Sequence, residues 1–565
     1  MPRWLFPSLH DYRAQWLRGD LIAGLTVWAV LVPEALAYAS IAGVSPVVGL
    51  YAAPGALLLY AAFGSSRHLV TGPMSATAAL SAATVGEYAA GGSGQFAALT
   101  ATLAISAGMA ALIAGLLRLG FLANFISEPV QKGFIVGLAL TIIIGQLPDL
   151  FGVSKGSGDF FQKLWHLIVN LGHTHVLTLV VGLASLAIVV GLRRFAPAIP
   201  GSLVAVAAGI AAVEVFNLND HGVEIVGHVA SGLPSLGVPD VSFQQYLKLT
   251  AGGIGVMLVG FAEGLGAART YAARHHYDVA ANAELIGLGT ANLASGLSSG
   301  MVVNGSLSKT AVNGSAGANT QLSGLLVAVL TVLTLLLLTG LFEKLPEPTL
   351  AAIVVAAVVE LVDVPAIVRL YRVYSRRLGR AYGVASRPDF IAAVAALLGV
   401  TVFDTLPGLF IGIAVSLVLL LYRASRPRIA TLGEIPGSGG SYADVEGHPD
   451  YRPRRGVAIL RVESGLFFAN ADRVREALRE AAAPPDVKAV VLDAATVPYV
   501  DVSASEMLAQ CAEDLAAGGV TLSVAGQIGE VRDVIRETGV APKLRSYRDL
   551  RTAVEAAEAE VTASA

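Results

Sequence analysis

The chain reads as an α-helical polytopic membrane domain of about fourteen segments in a 7+7 inverted repeat, followed by a small cytoplasmic α/β domain. Three observations predict this. Only 14% of the 565 residues are charged and 55% are hydrophobic, whereas a soluble domain carries about 25% charge. Charge-poor runs near 25–42, 97–117, 176–192, 320–341 and 389–421 approach or exceed the ~20 residues that cross a bilayer. A short pattern also occurs twice, as T-G-P-M-S-A-T-A at 71–78 and N-G-S-L-S-K-T-A at 304–311.

The doubling extends along the chain. Glu34 follows Pro33 in the first span, and Glu263 sits in the first span of the second half. Each half then has its Gly-led, hydroxyl-rich interruption, and later a span opened by Glu-Pro, S-E-P-V-Q-K-G-F at 127–134 and P-E-P-T-L-A-A-I at 346–353. Seven segments per half is an odd number, so the halves enter the membrane with opposite orientation, and paired interruptions in such halves point to a transporter's binding site. Arginine clusters after even-numbered segments, including 193–194, 269–274, 369–380 and 423–428, place both termini in the cytoplasm by the positive-inside rule. No small-residue cleavage site follows a short apolar core near Arg3, Arg13 and Arg18, so the first span is expected to remain as an anchor in the cell inner (plasma) membrane.

The expected domains are a cytoplasmic segment at 1–19, a transport domain at 20–428, a Gly- and Pro-rich linker at 429–455 and an α/β domain at 456–565. In the last, strands at 457–462, 488–493 and 520–524 alternate with helices at 471–482, 503–517 and 528–538, the pattern of a helix-covered sheet. A single cysteine, Cys511, excludes an internal disulfide.

The chemistry centres on the two interruptions. Each would open a half-helix whose start carries roughly half a positive charge and free N–H groups, and two such starts facing one another suit a small oxyanion. Ser75, Thr77, Ser306, Ser308 and Thr310 add hydroxyls. Taken singly, small residues here would serve close helix packing; their repetition favours a site. Lys309 is the one basic residue in the second interruption. A lysine in mid-membrane costs about 2.5–3.5 kcal/mol on insertion scales and is a functional candidate. Glu263, flanked by Gly and Ala in V-G-F-A-E-G-L-G, either pairs with Lys309 or titrates as a coupling site, and Glu34 raises the same question. Two ionised glutamates beside one lysine would repel an anion, so proton-coupled uptake is expected. Glu128 and Glu347 read as first-turn carboxylates. No metal-ligand spacing, P-loop or nucleophile elbow is present, so neither cofactor, metal site nor enzyme activity is expected. No basic, aromatic-interleaved stretch suggests nucleic acid.

P-E-A-L-A-Y-A-S-I-A-G-V-S-P-V-V-G-L-Y (33–51), F-G-S-S-R-H-L-V-T-G-P (63–73), A-N-A-E-L-I-G-L-G-T-A-N (281–292) and S-L-S-K-T-A-V-N-G-S-A-G-A-N-T-Q-L-S-G (306–324) closely resemble the sulfate permease (SulP) family of anion transporters. The tail resembles a STAS domain: L-F-F-A-N-A (466–471) fits its early strand and A-V-V-L-D-A-A-T-V-P-Y-V-D-V-S-A (489–504) its signature loop. The resemblance implies a uracil-permease-like fold in which a core domain moves against a gate domain, a homodimer, and an anion lined by Tyr38, Met74, Ser75, Ser306, Leu307 and Ser308. Glu263 matches a glutamate of proton-coupled members. Many relatives carry Gln at the Glu34 position and Arg at Lys309. A lysine lacks the bidentate fork, which brings bicarbonate and small carboxylates beside sulfate as substrates. Ser503, two places after Asp501, falls where STAS relatives are phosphorylated, although the loop reads D-V-S-A; its other reading is a helix N-cap.

The expected function is secondary active transport of small anions (sulfate-like, bicarbonate or small carboxylate) by alternating access, proton-coupled through Glu263. The alternatives are a sodium-coupled bicarbonate symporter, an uncoupled anion exchanger or channel, and a nucleobase permease, against which Lys309 and the STAS tail argue. Membrane lipid, the anion and a proton or Na+ are the expected partners.

Overall fold

The computed structural model describes residues 5–10, 12–89, 93–121, 127–156, 158–196, 199–359, 387–403, 405–446 and 450–564, with 362, 363, 365, 368, 369, 371 and 448. The chain divides into two compact units, Met1–Ser416 and Leu417–Ala565.

In the first unit, the leading half holds α1 (Leu17–Ile41), α2 (Pro46–Phe63), β1 (Val70–Gly72) with α3 (Ser75–Gly86), α4 (Gly94–Leu116), α5 (Glu128–Phe151), the short amphipathic α6 (Phe160–Asn170), α7 (Val176–Phe195) and α8 (Gly201–Phe216). The second half repeats the order with α9 (Phe243–His275), α10 (Ala281–Leu297), β2 (Asn304–Ser306) with α11 (Leu307–Ser315), α12 (Leu322–Leu337), α13 (Glu347–Val359), α14 (Arg387–Phe403) and α15 (Thr405–Ser425), which runs into the second unit. With α6 set aside as a surface connector, each half supplies seven segments among the described residues. Seven helices are long and apolar enough to cross a membrane among the described residues. Many of their large apolar side chains face outward, as Leu116 at 72%, Val176 at 70% and Leu421 at 64% exposure show. In water that would be costly; against lipid it is the stable arrangement.

Packing sorts these helices into two bundles. α1, α2, α4, α9, α10 and α12 pack on one another, and α5, α7, α13 and α14 form a second group, with α1 touching α13 and α8. Small residues let the core helices approach. A Cβ added to Gly108 of α4 would lie 2.8 Å from the Gly289 carbonyl oxygen of α10, and one added to Gly289 would lie 2.9 Å from the Leu112 nitrogen. Without a hydrophobic force between helices in lipid, this close backbone packing supplies the association.

The second unit is a six-stranded sheet in the order β4-β3-β5-β6-β7-β8. Its strands are β3 (Ile429–Glu434), β4 (Tyr442–Asp444), β5 (Val457–Val462), β6 (Ala489–Asp493), β7 (Thr521–Ala525) and β8 (Arg545–Tyr547). β5 to β8 are parallel and β3 is antiparallel to both its neighbours. Helices α16 (Ala471–Ala482), α17 (Val502–Ala517), α18 (Gly529–Glu537) and α19 (Leu550–Ser564) complete it. Val474, Leu478, Leu508 and Ile535 bury one sheet face, and Ala553, Val554 and Ala557 of α19 bury the other. β6 is buried at all five positions, as a strand covered on both faces must be.

Two expectations are corrected here. Residues 429–455 are not a plain linker: β3 and β4 extend the sheet, with Ile429 opposite Val462. Pro436, Gly437, Gly439 and Gly440 occupy the turn between β3 and β4, and this turn-rich composition masked the short alternating strand I-A-T-L. Residues 466–471 are not a strand either. Leu466 makes an isolated bridge to Val500, and the chain then turns into α16, because Asn470 folds back to bond the Gly465 carbonyl at 2.8 Å and the Phe467 N–H at 3.0 Å.

Candidate functional site

β1 and β2 form a two-stranded antiparallel ribbon, with Val70 opposite Ser306, Thr71 opposite Gly305 and Gly72 opposite Asn304. The helices that follow are short. The 12 residues of α3 and 9 of α11 rise about 18 and 14 Å, so neither crosses a bilayer alone. Because the strands are antiparallel, α3 and α11 leave opposite ends of the ribbon. All six strand residues are buried, so backbone groups in this irregular stretch need partners from the protein.

Side chains from several helices supply them. Thr310 of α11 accepts from the Val70 N–H at 3.1 Å, and Asn313 donates to the His68 carbonyl at 2.9 Å. Gln321 donates to the Ser66 and Leu69 carbonyls, both at 2.9 Å. Asn292 of α10 clamps Val303 by donating to its carbonyl at 2.9 Å and accepting from its N–H at 3.0 Å. Glu284, fully buried, accepts from Tyr60 at 2.6 Å, from the Ser65 hydroxyl at 2.7 Å and from the Ser65 and Ser66 N–H groups at 2.8 and 3.0 Å. None of Glu284, Asn292, Asn313 or Gln321 stands out from sequence as a site residue. The signal available was a lone amide or carboxylate in an otherwise apolar span, which marks an intramembrane polar group with a partner to find.

Lys309 occupies the first turn of α11 and is 1% exposed. Its ammonium lies 2.8 Å from Glu34 Oε2 of α1 and donates to the Pro73 carbonyl at 3.1 Å, at the entrance to α3. It also sits 5.0 Å from the centre of the Tyr38 ring, within cation–π range. The Glu34 contact is a charge pair rather than an aligned hydrogen bond, since Oε2 lies outside hydrogen-bond angles. One lysine thus ties α1, the start of α3 and the start of α11 together.

The other predicted residues fall around it. Met74, the N-cap position of α3, and Ser75, its first residue, are 8% and 4% exposed, and no side chain caps that helix. Ser306 caps α11 by accepting from the Lys309 N–H at 3.3 Å, and its hydroxyl is 3.1 Å from that of Ser308. Leu307 is 53% exposed and Ser308 is exposed, while Tyr38 and Ser306 are buried at 4% and 2%. Thr77 is spent on the Met74 carbonyl at 3.3 Å, Thr310 accepts from Val70, and Ser306 and Ser308 bond to each other, so of the predicted hydroxyls Ser75 is the one without a hydrogen bond to another described residue.

Glu263 is not the partner of Lys309; Glu34 is. Glu263 Oε2 is buried without a hydrogen-bond partner, as is Asn304 Nδ2. α9 packs on β2, and a Cβ on Gly264, beside Glu263, would meet Asn304 Oδ1 at 3.0 Å. Among the described residues Glu263 has no paired cation. Glu128 and Glu347 open α5 and α13 as first-turn carboxylates. Among the described residues no group of three His, Cys, Asp or Glu side chains has metal-binding geometry.

In the second unit, Asp501 and not Ser503 caps α17. Asp501 accepts from the Ala504 N–H and from the Phe468 N–H, both at 2.8 Å. Ser503 is exposed in the first turn that follows.

Comparison with known proteins agrees with this architecture. The Sulfate permease family model matches residues 17–377 and the STAS domain model residues 448–553. A probable sulfate transporter of Mycobacterium tuberculosis (strain ATCC 25618 / H37Rv) is 37% identical over 554 residues, 97% of each chain. High affinity sulfate transporter 1 of Stylosanthes hamata is 31% identical over 533 residues, 89% of this chain and 78% of that one. Murine solute carrier 26 family member A9, an anion transporter solved in the inward-facing state, superposes with a TM-score of 0.88 at 23% identity, over 98% of this chain and 94% of that one. The transmembrane domain of the cyanobacterial bicarbonate transporter BicA gives a TM-score of 0.61 at 24% identity, over 71% of this chain and 98% of that domain. These two show a shared fold. The inverted repeat, the ribbon with its paired half-helices, the matched family models and the relatives above 30% identity establish that the chain belongs to the sulfate permease family of membrane anion transporters and ends in a STAS domain.

Proposed function

We propose that this chain moves a small oxyanion of the sulfate class across the cell inner membrane by alternating access, with uptake driven by protons through Glu263. The supporting observation is the fully buried Lys309 ammonium at the junction of two half-helix starts, 2.8 Å from Glu34 and 3.1 Å from the Pro73 carbonyl. On this reading Tyr38, Met74, Ser75, Ser306, Leu307 and Ser308 line the anion. The N–H groups of α3 and α11 and the ammonium oppose its charge, and the α1–α4 and α9–α12 bundle shifts against the remainder. The relatives named as sulfate transporters favour sulfate; the point charge of Lys309 also admits bicarbonate and small carboxylates.

The charge balance supplies the coupling. Glu34 already neutralises Lys309, so an ionised Glu263 is an unbalanced negative charge beside β2. Protonating Glu263 removes it and strengthens anion binding; by linkage, the bound anion strengthens proton binding equally. The termini lie in the cytoplasm, residues 20–428 carry transport, and residues 429–565 form the regulatory tail of a homodimer, with Ser503 exposed to a kinase.

Radiolabelled sulfate uptake into proteoliposomes tests this. An inward proton gradient should accelerate uptake, and Glu263→Gln should transport independently of it. Uptake driven by a sodium gradient alone would establish the sodium-coupled alternative, and uptake indifferent to both would establish exchange or channel activity.

A further inference from the structure

A cavity of about 560 Å3 opens between α1, α3 and α5. Ala79, Ala83 and Gly86 form its α3 wall. Ser75 lies on the same helical stripe, one turn nearer the ribbon. The α1 wall begins at Ser40 and Ile41, just beyond Tyr38. The cavity therefore stops about one helical turn, ~5 Å, from the candidate site. It follows α3, which leaves the ribbon at the end opposite to the exposed Leu307 and Ser308. At Gly86 and Gly145 on its walls an added Cβ would meet nothing within 4 Å, so packing does not account for these glycines.

Gln146 is the uncharged polar side chain of the wall that makes no internal hydrogen bond among the described residues. Gln146 of α5 is 8% exposed and lines the cavity, and its side-chain amide makes no hydrogen bond to another described residue. The nearby Thr141 hydroxyl, by contrast, is spent on the Gly137 carbonyl at 3.0 Å. A buried amide left unpaired is unfavourable, and apart from Thr141 the rest of residues 135–147 in α5 are Ile, Leu, Val, Ala and Gly. At the mouth, Lys155 is matched by Asp149 at 2.8 Å, and Lys163 and Glu87, of opposite charge, both line the cavity. With lysines and carboxylates mixed there, the mouth provides little net field for selection. That leaves Gln146.

We infer that Gln146 is a specificity-determining residue: its amide donates to an oxyanion passing through this cavity, on the side facing the half-helix starts, and so favours anions rich in acceptor oxygens over halides. The inference rests on the anion-transport reading above. A halide offers the amide a single spherical acceptor, whereas a tetrahedral or planar oxyanion turns one oxygen to the amide and keeps the others for water and the rest of the cavity wall.

The full-length chain in proteoliposomes provides the test. Gln146→Leu, which keeps the volume and removes the donor, should raise KM for sulfate about tenfold with kcat little changed, and should strengthen chloride inhibition relative to sulfate. Gln146→Asn, which keeps an amide, should recover part of the selectivity. In a second arm, Gln146→Cys should react with a water-soluble cationic methanethiosulfonate, and sulfate should slow that reaction; Cys511, the native cysteine, is buried. An unchanged sulfate-to-chloride ratio in Gln146→Leu, or a labelling rate of the Gln146→Cys protein that sulfate leaves untouched, overturns the inference. Wild-type vesicles that take up no sulfate refute the transport reading instead, and the labelling arm still decides the contact.

Discussion

Replacing Lys309 by Met isolates the central interaction. At 2.8 Å, and with an effective dielectric of about 20, the attraction between the ammonium and Glu34 is on the order of 6 kcal/mol. Desolvation costs several kcal/mol per ion, and with side-chain exposures of 1% and 12% both groups bear much of it. The intact pair therefore contributes little net stability, but removing one partner strands the other. Lys309→Met leaves a buried carboxylate and should cost about 3–5 kcal/mol. Glu34→Gln strands the ammonium, which keeps the Pro73 carbonyl and the Tyr38 ring, and should cost less. The double variant should regain most of the stability. Transport separates differently. On the proposed reading Lys309 donates to the anion, and losing a charged donor removes about 1.5–3 kcal/mol, a rise in KM of roughly 10- to 150-fold, which the double variant cannot recover. Thermal unfolding of purified protein and sulfate uptake in proteoliposomes measure the two effects. A Lys309→Met protein that unfolds like wild type, or a double variant with wild-type KM, would refute the reasoning.

Three further predictions concern the scaffold and the tail. Glu284→Ala orphans two backbone N–H groups and the Tyr60 hydroxyl; at about 1–3 kcal/mol per stranded group it should lower the melting point markedly in detergent, while a stability equal to wild type would show that the turn at Ser65 and Ser66 does not need it. Asp501→Ala removes the cap of α17 and the bond to the Phe468 N–H, so unfolding of the tail in urea should shift by about 1–2 kcal/mol. Burial pushes the Cys511 thiol above its ordinary value, so Ellman's reagent at neutral pH should react only as the tail unfolds. Because the folded thiol holds its proton more tightly than the unfolded one, its contribution to stability is full below the unfolded pKa and falls as pH rises above about 9; urea midpoints across that range check the sign.

Composition and spacing were enough to read the membrane body, its doubling and the alternating strands and helices of the tail. Those features follow from local rules, namely the length of apolar runs, the period of a strand and the recurrence of one motif. The interruptions were legible for the same reason, since a Gly- and Ser-rich stretch inside an apolar half stands out against its surroundings. β3 was not legible, because its pairing with β5 depends on a partner brought in from beyond the turn-rich segment between them.

The order of residues thus supplies an inventory: two broken segments, one buried lysine and two intramembrane glutamates. Which charges meet is settled by the packing in three dimensions. Lys309 pairs with Glu34 and not Glu263, because antiparallel pairing of β1 with β2 sets the first turn of α11 against α1, while Glu263 sits on α9, whose Gly260 and Gly264 face Asn304. Packing likewise makes Glu284, Asn292, Asn313 and Gln321 the residues that hold the ribbon. A buried backbone group has to find a hydrogen bond wherever the fold offers one, and in chain order most of the side chains here stand hundreds of residues from the backbone groups they satisfy.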